Sequence, residues 1–392
     1  MGFRSYFLMK QTIALVAGTR PEVIKLAPIY LALRDRPRVT PLLISTGQHR
    51  HMLDQAFAAF EITPDIDLGL MTPSQTLPDL TARVIQSVAE VLREQRPAAV
   101  LVQGDTATVL GASIAAFYEK VPIGHVEAGL RTYDMASPFP EEMNRRLTTP
   151  LARWNFCPTD LSRRNLLQEK IDADRCFVTG NSVIDALLWM RDRIRARGVS
   201  ALEVAGRVGI PDGFARRYLA DPKSRWVLVT GHRRESFGDG FERICEAINR
   251  LTQVLPDVGV LYPVHLNPQV QEPVNRLLGG NERIALVAPA AYEDFIWLLD
   301  RCTFALSDSG GVQEEAPSLG KPVLVMREST ERPEGVEAGT CTLVGTDPAT
   351  ILRESLLLLN NPAEYTRRAA LKNPYGDGNT SQRILEILET SL

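Results

Sequence analysis

Neither G-x-G-x-x-G nor G-x-x-x-x-G-K-[ST] occurs anywhere in the 392 residues. The first absence removes the usual dinucleotide fingerprint, and the second removes the phosphate loop of ATPases. Cysteine is scarce and scattered: Cys157, Cys176, Cys245, Cys302 and Cys341 form no C-x-x-C pair and an odd total. That argues against a disulfide framework or a zinc site and for a reducing, cytoplasmic home. Neither sign of charge is in excess, with 44 Lys and Arg against 47 Asp and Glu and a net charge of -3. Nothing therefore points to a nucleic-acid or anionic-membrane partner, and an anionic ligand has to be met locally. No run approaches the ~20 apolar residues of a membrane span. The opening MGFRSYFLMK has too short an apolar run for a signal peptide, and Tyr6 stands where a myristoylation motif requires Ser or Thr. Residues 1 to 9 are expected to be an unstructured leader.

What is present is alternation. TIALVA, VTPLLIS, AAVLVQ, VPIGHV and RCFVTG are short β-branched and aliphatic runs separated by helix-like stretches, the pattern of buried parallel strands in a doubly wound α/β domain. The pattern lapses through RARGVSALEVAGRVGIPDGFARRYLADPKS and restarts with RWVLVT, VGVLYPV, RIALVA, CTFALSD and KPVLVM. The chain is long enough for two domains at about 100 to 200 residues each. We expect two Rossmann-like domains, residues 1–185 and 186–372, with a final helix over 373–392 returning to the first.

In such sheets ligands sit at the carboxyl ends of the strands, so the residues directly after each run carry the most weight. After the first run, AGTRPEVIK holds a Thr19–Glu22 capping box with Pro21 at the first helical position, an ordinary helix start. That leaves Arg20 and Lys25 over. A cation in the first helical turn opposes the helix dipole unless an anion joins it, which favours a phosphate contact. Asp105 follows the AAVLVQ run, where either it or Thr106 could cap the next helix. Glu127 holds the equivalent place after VPIGHV, and Glu141 and Glu142 follow Pro140 at a helix start. Any one carboxylate could be structural, but three at successive strand ends suggest a catalytic mouth.

In the second half, VLVTGHRRESFG ends a strand with His232, Arg233 and Arg234. A histidine there suits an anion either as a charged donor or as a general acid for a departing phosphate. His265 in YPVHLNP is equally well explained by packing. The Asp pairs of DID (65–67) and DAD (172–174) lie in turn-like contexts and are expected to cap and turn, not to hold a metal. In LSDSGGVQEEAPSLG, Ser309, Gly310 and Gly311 would present N–H groups to a diphosphate at a helix start. Glu315 lies about one 5.4 Å helical turn deeper on the same face, in reach of a ribose. Glu314 has no assigned partner.

Taken together, GTRPEVIK, TGQHRHMLD, QGDTATVL, GHVEAGLRT, PFPEEMNRRL, TGNSVIDAL, VTGHRRESFG, YPVHLNP, SDSGGVQEEAPSLGKPVLVMR, TERPEGVEAGT and NPYGDG resemble the non-hydrolysing UDP-N-acetylglucosamine 2-epimerases of bacteria, in order from Thr12 to the C-terminus. The resemblance implies a GT-B-type fold with the active site between two Rossmann-like domains, and assembly as a homodimer. It also implies interconversion of UDP-GlcNAc and UDP-ManNAc without a redox cofactor or metal, feeding ManNAc and ManNAcA into cell-surface polysaccharide. The C2 proton lies next to no carbonyl, so its removal needs either oxidation of the sugar or loss of a leaving group from C1. The missing dinucleotide fingerprint disfavours oxidation. The family is thought to eliminate UDP to 2-acetamidoglucal and re-add it after protonation on the other face.

Carried over residue by residue, the resemblance gives Asp105, Glu127 and Glu141 the carboxylate roles and His232 the phosphate side. Arg20, Lys25, Ser309, Gly310, Gly311 and Glu315 join the ligand site, with Phe295 and Arg332 near the uracil or phosphates. Gln48, His49 and Gln75 match a region that binds a second, activating UDP-GlcNAc in many relatives. One departure stands at Ala290, where relatives carry a polar residue such as Gln. The rival readings are a hydrolysing epimerase releasing UDP and ManNAc, and a GT-B glycosyltransferase.

Overall fold

The computed structural model describes residues 10–47, 50–72 and 75–392. The chain divides into two units, one holding the described residues up to Ala186 together with Gly376–Leu392, the other Leu187–Tyr375. In the first unit, strands β1 (Gln11–Ala17), β2 (Val39–Ser45), β3 (Ile66–Asp67), β4 (Ala99–Gln103), β5 (Ile123–Val126), β6 (Trp154–Cys157) and β7 (Cys176–Val178) form one sheet. Its order is β3-β2-β1-β4-β5-β6-β7, and the paired strands are parallel. Every residue of β4 is buried, which is why that strand reads as an uninterrupted apolar run instead of alternating. The helix Thr380–Ser391 belongs to this unit. Asp185 accepts hydrogen bonds from Thr380 N at 3.2 Å and Ser381 N at 2.7 Å, satisfying two of the N–H groups that a helix start leaves without an internal acceptor.

The second unit repeats the plan with β8 (Arg225–Thr230), β9 (Val258–Pro263), β10 (Ile284–Val287), β11 (Phe304–Ser307), β12 (Val323–Val325) and β13 (Cys341–Leu343). Their order is β10-β9-β8-β11-β12-β13, again parallel. The two doubly wound sheets thus reverse strand order at equivalent places, between β1 and β4 and between β8 and β11. Those are the switch points where ligands of such sheets bind.

Three strands lie outside the runs that the sequence singles out. β6 is only four residues, with the buried Asn155 breaking its apolar signal. β13 is three residues and β3 two. The DID segment, expected to be a turn, supplies β3, although its carboxylates do act locally: Asp65 accepts from Leu43 N and Asp67 from Gly69 N. The charged stretch where the alternation lapses is largely helical, including Ala201–Val208 with a Ser200–Glu203 capping box and Gly209 as its left-handed C-cap.

Candidate active site

Chain direction at the end of β1 is set by a close approach. A Cβ on Gly18 would lie 2.2 Å from Thr108 Oγ1 and 2.3 Å from Thr46 Oγ1, so only glycine lets β1 pass into the helix Arg20–Arg34. Glu22, in that helix's first turn, is almost wholly buried. It accepts hydrogen bonds from Gly18 N at 2.6 Å and Thr19 N at 2.7 Å, and from the hydroxyl of Thr106 at the end of β4. It therefore completes the capping box and also crosses the switch point. Burial pushes its carboxyl up to about 7, against the lowering effect of those hydrogen bonds.

That pKa has a measurable consequence. Since the folded value of about 7 lies above the ordinary 4.5, Glu22 favours folding fully below pH 4.5, and this contribution is lost as the pH rises through 7. Glu22→Gln is uncharged throughout. Between pH 5 and pH 8 the unfolding free energy of the parent should fall by roughly 2 to 3 kcal/mol relative to the variant. Parallel urea curves for the two proteins would show no such divergence if Glu22 were ionised in the fold at both pH values.

Thr106 caps the helix Ala107–Tyr118, its hydroxyl accepting from Val109 N, which settles the choice between Asp105 and Thr106 as cap. Asp105 is left to a different partner: Arg145 Nη2 stands 2.8 Å from its Oδ2, and Asn144 Nδ2 donates to its backbone oxygen at 2.8 Å. Its side chain keeps 28% of its surface accessible, so crowding by neighbouring protein, not complete enclosure, is what desolvates it. That desolvation raises its pKa; Arg145 opposes the rise, and the charges of Glu127 and Glu141 add to it. Asp105 and Glu127 follow the adjacent strands β4 and β5, and Glu141 lies one helical turn before the arginine that pairs with Asp105.

Glu127 follows β5 in the left-handed conformation, φ 64°, a sparsely populated state for a residue with a side chain. Lys25 Nζ donates to both of its carboxylate oxygens at 2.7 Å. Gln103 Nε2 and Asn181 Nδ2 also donate to it. Lys25, read from the sequence as an anion contact, is thus an ion-pair partner of a site carboxylate. Glu141 and Glu142, equivalent in the sequence, separate here. Glu142 is fully buried and accepts from Thr132 N and Tyr133 N, while Glu141 is half-buried at the first position of the helix Glu141–Leu151. Arg145 was not anticipated. Its signal was its place one helical turn after Glu141, and it lies 2.8 Å from Asp105 and 3.4 Å from Glu142.

His125 in β5 is fully buried, its Nε2 2.7 Å from the carbonyl oxygen of Gly104, next to Asp105. Burial holds its pKa down at about 4, so it is a neutral clamp on the loop that carries Asp105.

In the second unit, His232 follows β8 and Asp308 follows β11, again across the switch point. Asp308 Oδ2 accepts from His232 N at 2.7 Å and Arg233 N at 2.8 Å. The rings of His232 and His265 stack, centroids 5.6 Å apart. Ser309 precedes the helix Gly310–Glu315, and the guanidinium of Arg332 lies against its first turn, Nη2 3.7 Å from where a Cβ on Gly310 would be. Arg332 is held there by Glu314 through Nε, which gives the unassigned glutamate a partner. Glu315 is buried within this same unit and accepts from the Tyr292 hydroxyl at 3.3 Å. Phe295 sits three residues further along the Tyr292 helix, Tyr292–Arg301, and is half-buried. Gln75 lies in the turn before the helix Leu77–Gln95, its Oε1 accepting from Thr72 N. Gln48 and His49 lie outside the described residues.

A family model for UDP-N-acetylglucosamine 2-epimerase matches residues 31–389. The chain belongs to that family. It is 50% identical over 376 residues to the UDP-N-acetylglucosamine 2-epimerase of Escherichia coli (strain K12), covering 96% of this chain and 98% of the relative. The crystal structure of the Neisseria meningitidis family member bound to UDP-GlcNAc superposes with a TM-score of 0.86 at 44% identity, covering 97% of this chain and 100% of that one. The S. aureus MnaA–UDP structure gives 0.83 at 40% identity over 97% and 96%. The two parallel sheets with interleaved helices are those of GT-B-type members of the family. Among the described residues no helix is long and apolar enough to cross a membrane.

Proposed function

We propose that the chain interconverts UDP-N-acetylglucosamine and UDP-N-acetylmannosamine at C2 without releasing free sugar. The observation that carries this reading is the placing of Asp105 and Glu127 after the adjacent strands β4 and β5, with Glu141 one helical turn before Arg145, which lies 2.8 Å from Asp105. Epimerisation by elimination needs such a set. A carboxylate takes the C2 proton, the C1–O bond breaks with its electron pair passing to the β-phosphate oxygen, and 2-acetamidoglucal and UDP are left. UDP then re-adds at C1 as a carboxylic acid protonates the opposite face of C2. Acid and base groups on two faces and cations on the departing diphosphate are what this requires. Ser309, Gly310, Gly311 and Arg332 hold the diphosphate, Glu315 the ribose and Phe295 the uracil side. His232 and Arg20 answer the charge that grows on the leaving group, and Lys25 keeps Glu127 charged and placed.

The named activity of the E. coli relative and the ligands in the Neisseria and S. aureus structures support this assignment. The same reading makes the enzyme a cytoplasmic homodimer that supplies activated ManNAc for surface polysaccharide. The test is incubation with UDP-GlcNAc in D₂O. A mixture of the two UDP-sugars with deuterium at C2 is expected. Accumulation of UDP with free ManNAc would make the enzyme a hydrolysing epimerase, and retention of the C2 proton would sink the elimination route.

A further inference from the structure

Asp308 is the one carboxylate of the second unit's switch point that the mechanism above leaves without work. It is 1% exposed. Its Oδ2 is accounted for by the amides of His232 and Arg233, which alone would make it a pin between the ends of β8 and β11. Its Oδ1 is not accounted for in that way. That atom is buried and receives no backbone amide, and what stands opposite it is His232 Nδ1 at 3.2 Å. A buried carboxylate oxygen stripped of water is costly unless a charge or a donor meets it, and the imidazole is what stands there.

The remaining surroundings narrow the reading. Burial works against ionisation of Asp308, but the His232 pairing and the two amides outweigh it and hold the carboxyl below its usual range. His265, stacked on His232, accepts from Asn267 N through its own Nδ1 at 3.1 Å. Its pKa is lowered by burial first and by His232 second, so it adds a neutral ring and not a second cation. Tyr262 approaches Gly231, and burial raises its hydroxyl pKa well above the usual value, so it too stays uncharged. Arg233 neighbours His232 along the chain.

We infer that Asp308 is a positioning residue for the proposed reaction: it holds a proton on His232 Nδ1 and orients the ring so that Nε2, turned to the departing diphosphate, can carry the proton that answers the leaving group's charge. The logic is that of the aspartate in a Ser-His-Asp triad, which sets the tautomer and orientation of its histidine without touching substrate. A carboxylate is needed because it can only accept. An amide in its place could still accept from the two backbone N–H groups, but would turn a donor toward Nδ1 and force the ring into the other tautomer.

This inference rests on the epimerase reading for its consequence, but its first test needs no substrate. Imidazole ¹⁵N NMR of the intact protein should show a proton on His232 Nδ1. A spectrum with His232 Nδ1 unprotonated would overturn the inference and leave the deuterium experiment untouched. In Asp308→Asn Nδ1 should lose its proton, so that the ring no longer carries both, and kcat should fall about 10²-fold or more, while UDP binds within about threefold of the parent. In a His232→Gln background the same substitution should lower kcat less than about twofold. An equal loss in both backgrounds would show Asp308 to be only a structural pin, and if Asp308→Asn fails to fold, the parent spectrum decides alone.

Discussion

Asp105→Asn is expected to lower kcat about 10²- to 10⁴-fold, the range that a positioned proton-transfer group contributes, with UDP affinity within about threefold of the parent. The amide keeps the shape and can still accept from Arg145, which lies 2.8 Å from the carboxylate, so folding should survive. What disappears is the ability to bind and release a proton. Crowding and two neighbouring carboxylates already raise the pKa of Asp105, with Arg145 limiting the rise. That balance makes Asp105 easier to protonate than an ordinary aspartate, as a group that takes up and returns a proton needs to be. UDP affinity is spared because the residues assigned to the nucleotide are carried by other elements. Glu127→Gln and Glu141→Gln should also remove most turnover, and deuterium incorporation at C2 should fall in step with it. Full activity in all three variants would refute the carboxylate mechanism, and loss of UDP binding with Asp105→Asn would mean that Asp105 serves the nucleotide instead.

Lys25→Met is expected to act on stability as well as rate. Lys25 meets both oxygens of Glu127 at 2.7 Å, and their side chains keep only 15% and 9% of their surface. Removing one partner of a buried pair leaves an uncompensated charge and costs about 3 to 5 kcal/mol. Gln103 and Asn181 still donate to Glu127, which places the expected loss at about 3 kcal/mol. The informative comparison is the double variant Lys25→Met/Glu127→Gln, since most of the single variant's loss should return once no carboxylate is left behind. Urea unfolding measures both. A single variant within about 1 kcal/mol of the parent, or a double variant no better than the single, would mean that the pair is not what Lys25 is for.

The same physical device serves both switch points. In the first unit Glu22, on the β1 side, accepts from Thr106 on the β4 side. In the second, Asp308 on the β11 side accepts from His232 and Arg233 on the β8 side. Each is a buried carboxylate tying together two loops that diverge from adjacent strands. The environments differ in what they add: burial dominates at Glu22 and raises its pKa, whereas the histidine and amides prevail at Asp308 and lower it.

The sequence by itself determined the doubly wound architecture and where to look within it, because long buried parallel strands need unbroken apolar runs, and the polar residues that follow them fall at the strand ends. Asp105, Glu127 and His232 are legible on that ground alone. Trp154–Cys157 and Cys341–Leu343 were not, since the buried Asn155 interrupts the first and only one residue of the second is fully buried. Only the tertiary structure decided the partnerships. Lys25 and Glu127 are 102 residues apart in the chain, and His232 and Asp308 are 76 apart, so no local spacing could pair them. It likewise decided which of two adjacent glutamates is buried, because helical phase turns Glu142 into the protein, where it accepts from Thr132 N and Tyr133 N, and leaves Glu141 half-buried. Residue type and order fix which chemical groups are present; the environment that sets their protonation is assembled by contacts between distant segments, and exists only once the chain has folded.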